Sequence, residues 1–192
     1  MDKVELSAQD LTPARLIFIV GAEVNGKPNF MNVGGGGSIS FNPPLIALPI
    51  QPHRYTLKGI MENRTLSVNI PLVNQVKEAD YTGIISGAQT DKAKDCGFEI
   101  FYGKLKTAPM IKQCPLNMEC SLMHILSSNS HAIVIGRIDA SYVSGEYVKE
   151  GKLNIGDMNP LLWMPNKGDY MGVGNPVGKV RVIGKEIKVG GI

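Results

Sequence analysis

A chain of 192 residues with 43% hydrophobic and 19% charged residues suits one folded domain and excludes a disordered, charge-rich segment. Twenty basic against 17 acidic residues leave a formal charge of +3, with no basic block of the kind that grips nucleic acid. The opening MDKVELSAQD is polar and acidic where a signal peptide starts basic, and no apolar run approaches the roughly 18 residues of a membrane span, so the cytoplasm is the expected location.

Twenty-two glycines and twelve prolines, scattered between short apolar runs, predict many strands and turns. The run ARLIFIVGAEV, from Ala14 to Val24, is apolar and β-branched, and the Asn25-Gly26 behind it is a hairpin dipeptide. The returning arm starts near Pro28 and carries NFMNV into four glycines, Gly34 to Gly37; SISF follows, and Asn42-Pro43-Pro44 ends that strand. LIALPI, residues 45 to 50, reads as a buried strand in which Pro49 argues for an edge position or a bulge. From Thr56 the period changes, and Thr56 is the expected N-cap of a short helix with Leu57, Ile60 and Met61 on its apolar face. LSVNIP is the next strand, and Val73 to Thr82 and Asp91 to Asp95 read as two further short helices.

The second half returns to strands: FEIFYG, then MECSLMHIL and HAIVIGRIDASYV, the last two joined as a hairpin at Ser127 to Ser130. Short antiparallel strands with brief helices between them predict a mainly β fold, a closed or partly closed barrel, in one domain over residues 1–192. The tail 170–192, rich in Gly, Val and Lys, is expected to wrap the body or a partner subunit. No G-x-G-x-x-G opens a helix after a strand, which disfavours a Rossmann fold. Cys96, Cys114 and Cys120 form an odd set without C-x-x-C, read as reduced thiols, buried or half-buried.

Residues 29 to 71 are the informative stretch. They carry a strand with Asn and Met before a Ser, then Ser40-Phe41-Asn42-Pro43-Pro44, an apolar strand, His53-Arg54-Tyr55-Thr56, a helix, and a strand ending in Val68-Asn69-Ile70-Pro71. Downstream lie Gly83-Ile84-Ile85-Ser86-Gly87 followed by Asp91-Lys92, Glu119-Cys120, and His131-Ala132-Ile133-Val134-Ile135-Gly136. In the order and spacing of these elements, over about residues 11 to 178, the sequence resembles the flavin reductase-like family with the FMN-binding split barrel, and within it the flavoredoxin group. The resemblance implies a Greek-key antiparallel split barrel with short helical excursions, non-covalently held FMN, and a homodimer with the flavin near the subunit interface.

A phosphate with about two negative charges wants an Arg fork, hydroxyls and backbone donors, best supplied at a helix N-terminus. Arg54, Tyr55 and Thr56 fit that need; a surface Arg beside a simple Thr cap is the competing reading. Lys92 approaches the phosphate by resemblance, against the alternative of a solvated helix-surface Lys, and Asp91 reads as a helix-start residue. The resemblance assigns the flavin ring to a slot along Met31, Asn32 and Val33 and along Ser38, Ile39 and Ser40. Many relatives carry bulky side chains, often Trp, where this chain has Gly34 to Gly37, so the ring is expected to be more open there or the backbone closer to it. His131 falls where the family places a His near the flavin, suited to orienting a nicotinamide or moving a proton. His53 adds to the phosphate site or sits in solvent, and His124 is read as a half-buried strand residue.

The three histidines lack metal-ligand spacing, and no metal is expected. The leading expectation is an FMN oxidoreductase or electron carrier, fed by NADH or NADPH or by a redox protein. The alternative is a flavin-storing or ligand-binding barrel without turnover.

Overall fold

The computed structural model describes residues 2–154 and 158–187. Strands β1 (Arg15–Val24) and β2 (Lys27–Gly34) form the expected hairpin. Asn25 (φ 52°) and Gly26 (φ 73°) occupy the two left-handed positions that a type I′ turn demands. Strand β3 (Gly37–Phe41) pairs with β4 (Pro44–Ile50), so the double proline ends one strand and opens the next. Helix α1 (Tyr55–Asn63) leads into β5 (Thr65–Ile70); a 3-10 turn over Val73–Gln75 precedes α2 (Val76–Ile84), and α3 (Lys92–Asp95) is one turn long. Of FEIFYG only β6 (Ile100–Phe101) is a strand, paired with β7 (Met110–Ile111). The long hairpin of β8 (Leu116–Ser127) and β9 (Ala132–Val143) is followed by a small one, β10 (Val148–Lys149) with β11 (Lys152–Leu153). Strands β12 (Leu162–Met164) and β13 (Asp169–Met171) close the series.

Among the described residues nine strands form one antiparallel sheet in the order β13-β12-β1-β5-β8-β9-β4-β3, with β2 on the other edge of β1. β2 pairs β1 from Ile17 to Val24, while β12 and β5 share the opposite edge, at Arg15–Leu16 and Ile19–Gly21. The sheet curls so that Met31 and Val33 of β2 meet Ile46, Leu48 and Ile50 of β4 in one core, although β2 and β4 are not hydrogen-bonded partners. The barrel is split there.

β1 is apolar at nearly every position because both of its faces are covered. Phe18, Val20 and Ala22 point into the barrel core, while Ile17 and Ile19 join Phe30, Ala79, Ile111 and Leu161 in a second core beneath α2. Two helices therefore sit outside the barrel against β2.

Three expectations are corrected. Thr56 is not the N-cap of α1: Arg54 holds that position, and Thr56 is the second helical residue, 1% exposed, its Oγ1 accepting from Asn29 Nδ2 at 2.6 Å. Met61 is 56% exposed, and the buried face of α1 is Leu57, Ile60 and Gly59. β4 is internal rather than an edge, but its pairing with β3 stops at Gly37↔Ala47, so Pro49 has a strand on one side only, at Ile133. That position spares the sheet the hydrogen bond that Pro lacks. The tail is tied to the body through Val173, whose N–H donates to Asn159 Oδ1 at 2.8 Å, but Val177 beyond it is 99% exposed; residues 188–192 lie outside the described residues. No helix among the described residues is long and apolar enough to cross a membrane.

A Cβ on Gly59 would run into the Glu23 carbonyl and lie 2.8 Å from Val24 Cγ2. Alanine gains up to about 1 kcal/mol over glycine as a helix former, but overpacking costs about 1–3 kcal/mol. Contact with backbone decides the sign, and Gly59→Ala is expected to lower the urea midpoint with the m-value unchanged.

Candidate functional site

The side chains that meet outside the split of the barrel come from three places: the N-terminus of α1, the loop after α2, and α3. Each is positioned by β2. Asn29 Nδ2 donates to Thr56, which leaves the Thr56 hydroxyl proton free for another acceptor. Gly87 lies so close to the Asn29 amide that a Cβ there would overlap it. Lys92 reaches back across α3 to the backbone of β2.

Lys92 is 4% exposed, and its Nζ donates to Phe30 O at 2.8 Å and Thr82 O at 2.7 Å. Two acceptors for three N–H groups leave one donor over. Burial, and then the neighbouring Arg54 guanidinium, lower its pKa to about 8. Arg54 donates from Nε to Gln51 Oε1 at 3.2 Å and from Nη1 to Gly83 O at 2.9 Å. Neither cation forms a salt bridge with a carboxylate among the described residues. Helix α1 begins beside them with no side chain bonded to its N-terminus, which leaves its first N–H groups and the positive end of its dipole uncovered. The cavity between these groups, about 220 Å³, is lined by Met31, Arg54, Tyr55, Thr56, Ser86 and Lys92.

A larger cavity of about 580 Å³ shares Met31 and Arg54 with the first and adds Arg15, Gly34, His131 and Trp163. Gly34 is required for this wall, since a Cβ would sit 2.6 Å from Trp163 Cε3. The Arg15 guanidinium lies 5.4 Å from the centre of the indole and is ion-paired with Asp10. The glycine run thus admits a Trp brought from β12. His131 closes the β8–β9 turn, its carbonyl accepting from Ser128 N at 2.8 Å and its Nδ1 lying 2.9 Å from Ser130 Oγ.

Of the residues expected at the site, Met31, Arg54, Tyr55, Thr56, Lys92 and His131 line these two joined cavities. His53 also borders the first. Asn32 does not: strand alternation turns it to the opposite face of β2, where its Nδ2 donates to Ala79 O at 3.0 Å and Tyr170 Oη at 3.4 Å. It borders a third cavity, about 290 Å³, together with Asp80, Trp163 and Tyr170. Burial, and then the Asp80 carboxylate that accepts its O–H at 2.8 Å, push the Tyr170 hydroxyl up to about 12. Val33 is 3% exposed inside the barrel core, and Ser38, Ile39 and Ser40 lie on β3 outside these cavities, with Ile39 55% exposed. Arg15, Gln51 and Trp163 enter the site without any sequence signal, because only the tertiary fold carries them there.

The flavin reductase like domain matches residues 13–172. The chain belongs to the flavin reductase-like family. Its fold is shared with the flavoredoxin of Methanosarcina acetivorans, at 36% identity and a TM-score of 0.91, covering 98% of this chain and all of that one. The flavoredoxin of Desulfovibrio vulgaris (Miyazaki F) follows at 29% identity and 0.88, over 95% of this chain and all of that one. The FMN-binding protein of Thermus thermophilus, at 21% identity and 0.77 over 93% and 97% of the two chains, shares the split-barrel fold. Within this flavin reductase-like barrel the unpaired cations sit at the end of the site nearest α1, and the aromatic and histidine wall lies at the other.

Proposed function

We propose that the chain binds FMN non-covalently and acts through it as an oxidoreductase or electron carrier of the flavoredoxin kind, in the cytoplasm, where its three free cysteines suit a reducing compartment. The observation that carries this reading is the pair Lys92 and Arg54, a buried ammonium one acceptor short and a guanidinium without a carboxylate, beside an uncapped helix. A phosphate monoester supplies the missing charge and acceptors in one group. Arg54, Tyr55, Thr56 and Lys92 hold that phosphate, with the Thr56 O–H turned to it. The ring lies toward Met31 and Trp163, and the backbone of Met31, Asn32, Val33, Ser38, Ile39 and Ser40 is assigned to its edge, as the family resemblance implies. FMN, when bound, supplies both hydride and single-electron chemistry. The residues of this chain bind, orient and shield it.

Titration of the flavin-free protein with FMN and riboflavin, read by quenching of the single tryptophan, Trp163, tests the phosphate assignment. Arg54→Ala is expected to cost FMN about 1.5–3 kcal/mol, roughly 10- to 100-fold in Kd, and riboflavin almost nothing. Lys92 attracts phosphate only as its ammonium, and its pKa is about 8 in the free protein, so FMN affinity falls as pH rises through that value while riboflavin affinity stays flat. Equal losses for both ligands would place the phosphate elsewhere.

His131, at the far end of the larger cavity, is assigned to the electron donor, NADH or NADPH, rather than to the flavin. His131→Ala is expected to keep FMN bound and reducible by dithionite, yet to be reduced more slowly by NADH in a stopped-flow trace. An unchanged NADH rate would leave His131 a turn residue, and a wild type inert to both nicotinamides would favour a redox protein as donor.

The working form is a homodimer. Phe41 (93% exposed), Ile39 (55%) and Leu126 (57%) expose apolar area that a monomer gains nothing by showing, and the exposed tail is assigned to the partner subunit. Sedimentation at micromolar concentration should exceed the 20.8 kDa of one chain; a 20.8 kDa species would remove this part of the reading.

A further inference from the structure

Lys92 has a second chemistry that the binding of FMN does not use. As an ammonium it brings three N–H groups to the two carbonyls of Phe30 and Thr82; as a free amine it has two, and those carbonyls take both. The lone pair is then the group left over. It takes the direction of the third, unpaired donor, into the cavity that Lys92 lines. Desolvation and a neighbouring cation are the two means by which a lysine becomes a nucleophile, and burial and Arg54 supply both. At pH 8 about half of Lys92 is the free amine, against roughly one in three hundred of a lysine at its ordinary value of 10.5. The titratable groups that act on it are Arg54, at the start of α1, and Cys96, just after α3; β2 and α2 meet it with the Phe30 and Thr82 carbonyls, and His53 borders the same cavity.

Resting on the phosphate assignment above, we propose that Lys92 is an acylation site: an acyl phosphate, its phosphoryl group seated at Arg54, Thr56 and the N-terminus of α1, transfers its acyl group to Lys92 Nζ. The carbonyl carbon of such a mixed anhydride lies two bonds from phosphorus, so a phosphate held beside Lys92 keeps that carbon next to the amine. The Nζ lone pair forms the C–N bond, the C–O bond to phosphate breaks, and the proton lost by nitrogen departs on hydrogen phosphate. Atoms and charge balance without a further reactant. Arg54 and the positive end of the α1 dipole favour the negative charge that develops on the departing oxygens.

The product switches the phosphate corner off. An amide nitrogen carries no charge and only one N–H, so the corner loses a cation and one of the two carbonyls loses its donor. FMN and the acyl group therefore exclude each other.

Incubation of the flavin-free full chain with acetyl phosphate, followed by mass spectrometry of its lysine peptides, tests this, with the exposed Lys58 and Lys112 as internal standards. At pH 8 acetylation of Lys92 is expected to run about tenfold faster than theirs, to saturate with acetyl phosphate and to be competed by inorganic phosphate. Its rate should rise with pH through about 8 and then level off, while the rates at Lys58 and Lys112 go on rising. Saturating FMN should slow it by about tenfold or more, and the acetylated chain should bind FMN at least about tenfold more weakly, read by Trp163 quenching. Lys92 acetylated no faster than Lys58, or at a rate that shows no saturation, would overturn the acylation site while leaving FMN binding and its loss in Arg54→Ala intact. Rapid, saturable acetylation that FMN fails to slow would keep the acylation site and overturn the placement of the FMN phosphate beside it.

Discussion

The buried ammonium of Lys92 is the constraint around which the rest is arranged. Taking an unpaired charge out of water is costly, and here the cost shows as a pKa drawn down to about 8, first by burial and then by Arg54. The group stays because it ties three elements together: it sits on α3, donates to Phe30 of β2, and donates to Thr82 of α2. The same side chain that fastens the outer helices to the barrel therefore faces the cavity between them.

A second buried charge shows what a purely structural one looks like. Glu119, with no measurable exposure, accepts from Lys104 N at 3.1 Å, Leu105 N at 2.8 Å and Tyr142 Oη at 2.8 Å. Its neighbours are equally complete: Asn69 donates to Ile19 O, and its own oxygen accepts from Ile111 N and Asn117 Nδ2. These bonds fasten the segment between β6 and β8 over β5, and each polar group there has its partners. Lys92 is one acceptor short and lies next to another cation. That difference in completeness separates a site from a scaffold.

What the sequence disclosed was local. The Asn25-Gly26 turn and the long strand runs depend on neighbours a few residues away, and the β1–β2 and β8–β9 hairpins stand where they were expected. The shortfalls are tertiary. Thr56 is spaced like a cap, but Asn29, 27 residues earlier, claims its hydroxyl from β2. For Lys92, on a one-turn helix, the sequence left a phosphate contact and a solvated surface position both open, and its burial follows only from β2 and α2 closing over it. The glycine run leaves open whether the wall is more open there or the backbone closer, and the structure shows that Gly34 makes room for Trp163, which β12 brings alongside through its pairing with β1 at Arg15. Asn32 is separated from Met31 and Val33 by strand alternation alone, a rule visible in the sequence and outweighed there by reading the three as one slot.

The three cysteines bear on where the electrons go. Burial pushes the Cys114 and Cys120 thiols up to about 12, and burial with Glu78 and Asp95 nearby raises Cys96 to about 11. A thiol is nucleophilic and redox-active as its thiolate, so at neutral pH all three are held in the inert form. Cys120 sits inside the barrel core, packed among Leu66, Leu122 and Val134, and Cys114 belongs to the second core beneath α2. Neither cavity wall of the proposed site includes a cysteine. The cavities therefore offer no thiolate of their own, and what the chain contributes there is the charge of Arg54 and Lys92 at one end and the Trp163 and His131 wall at the other.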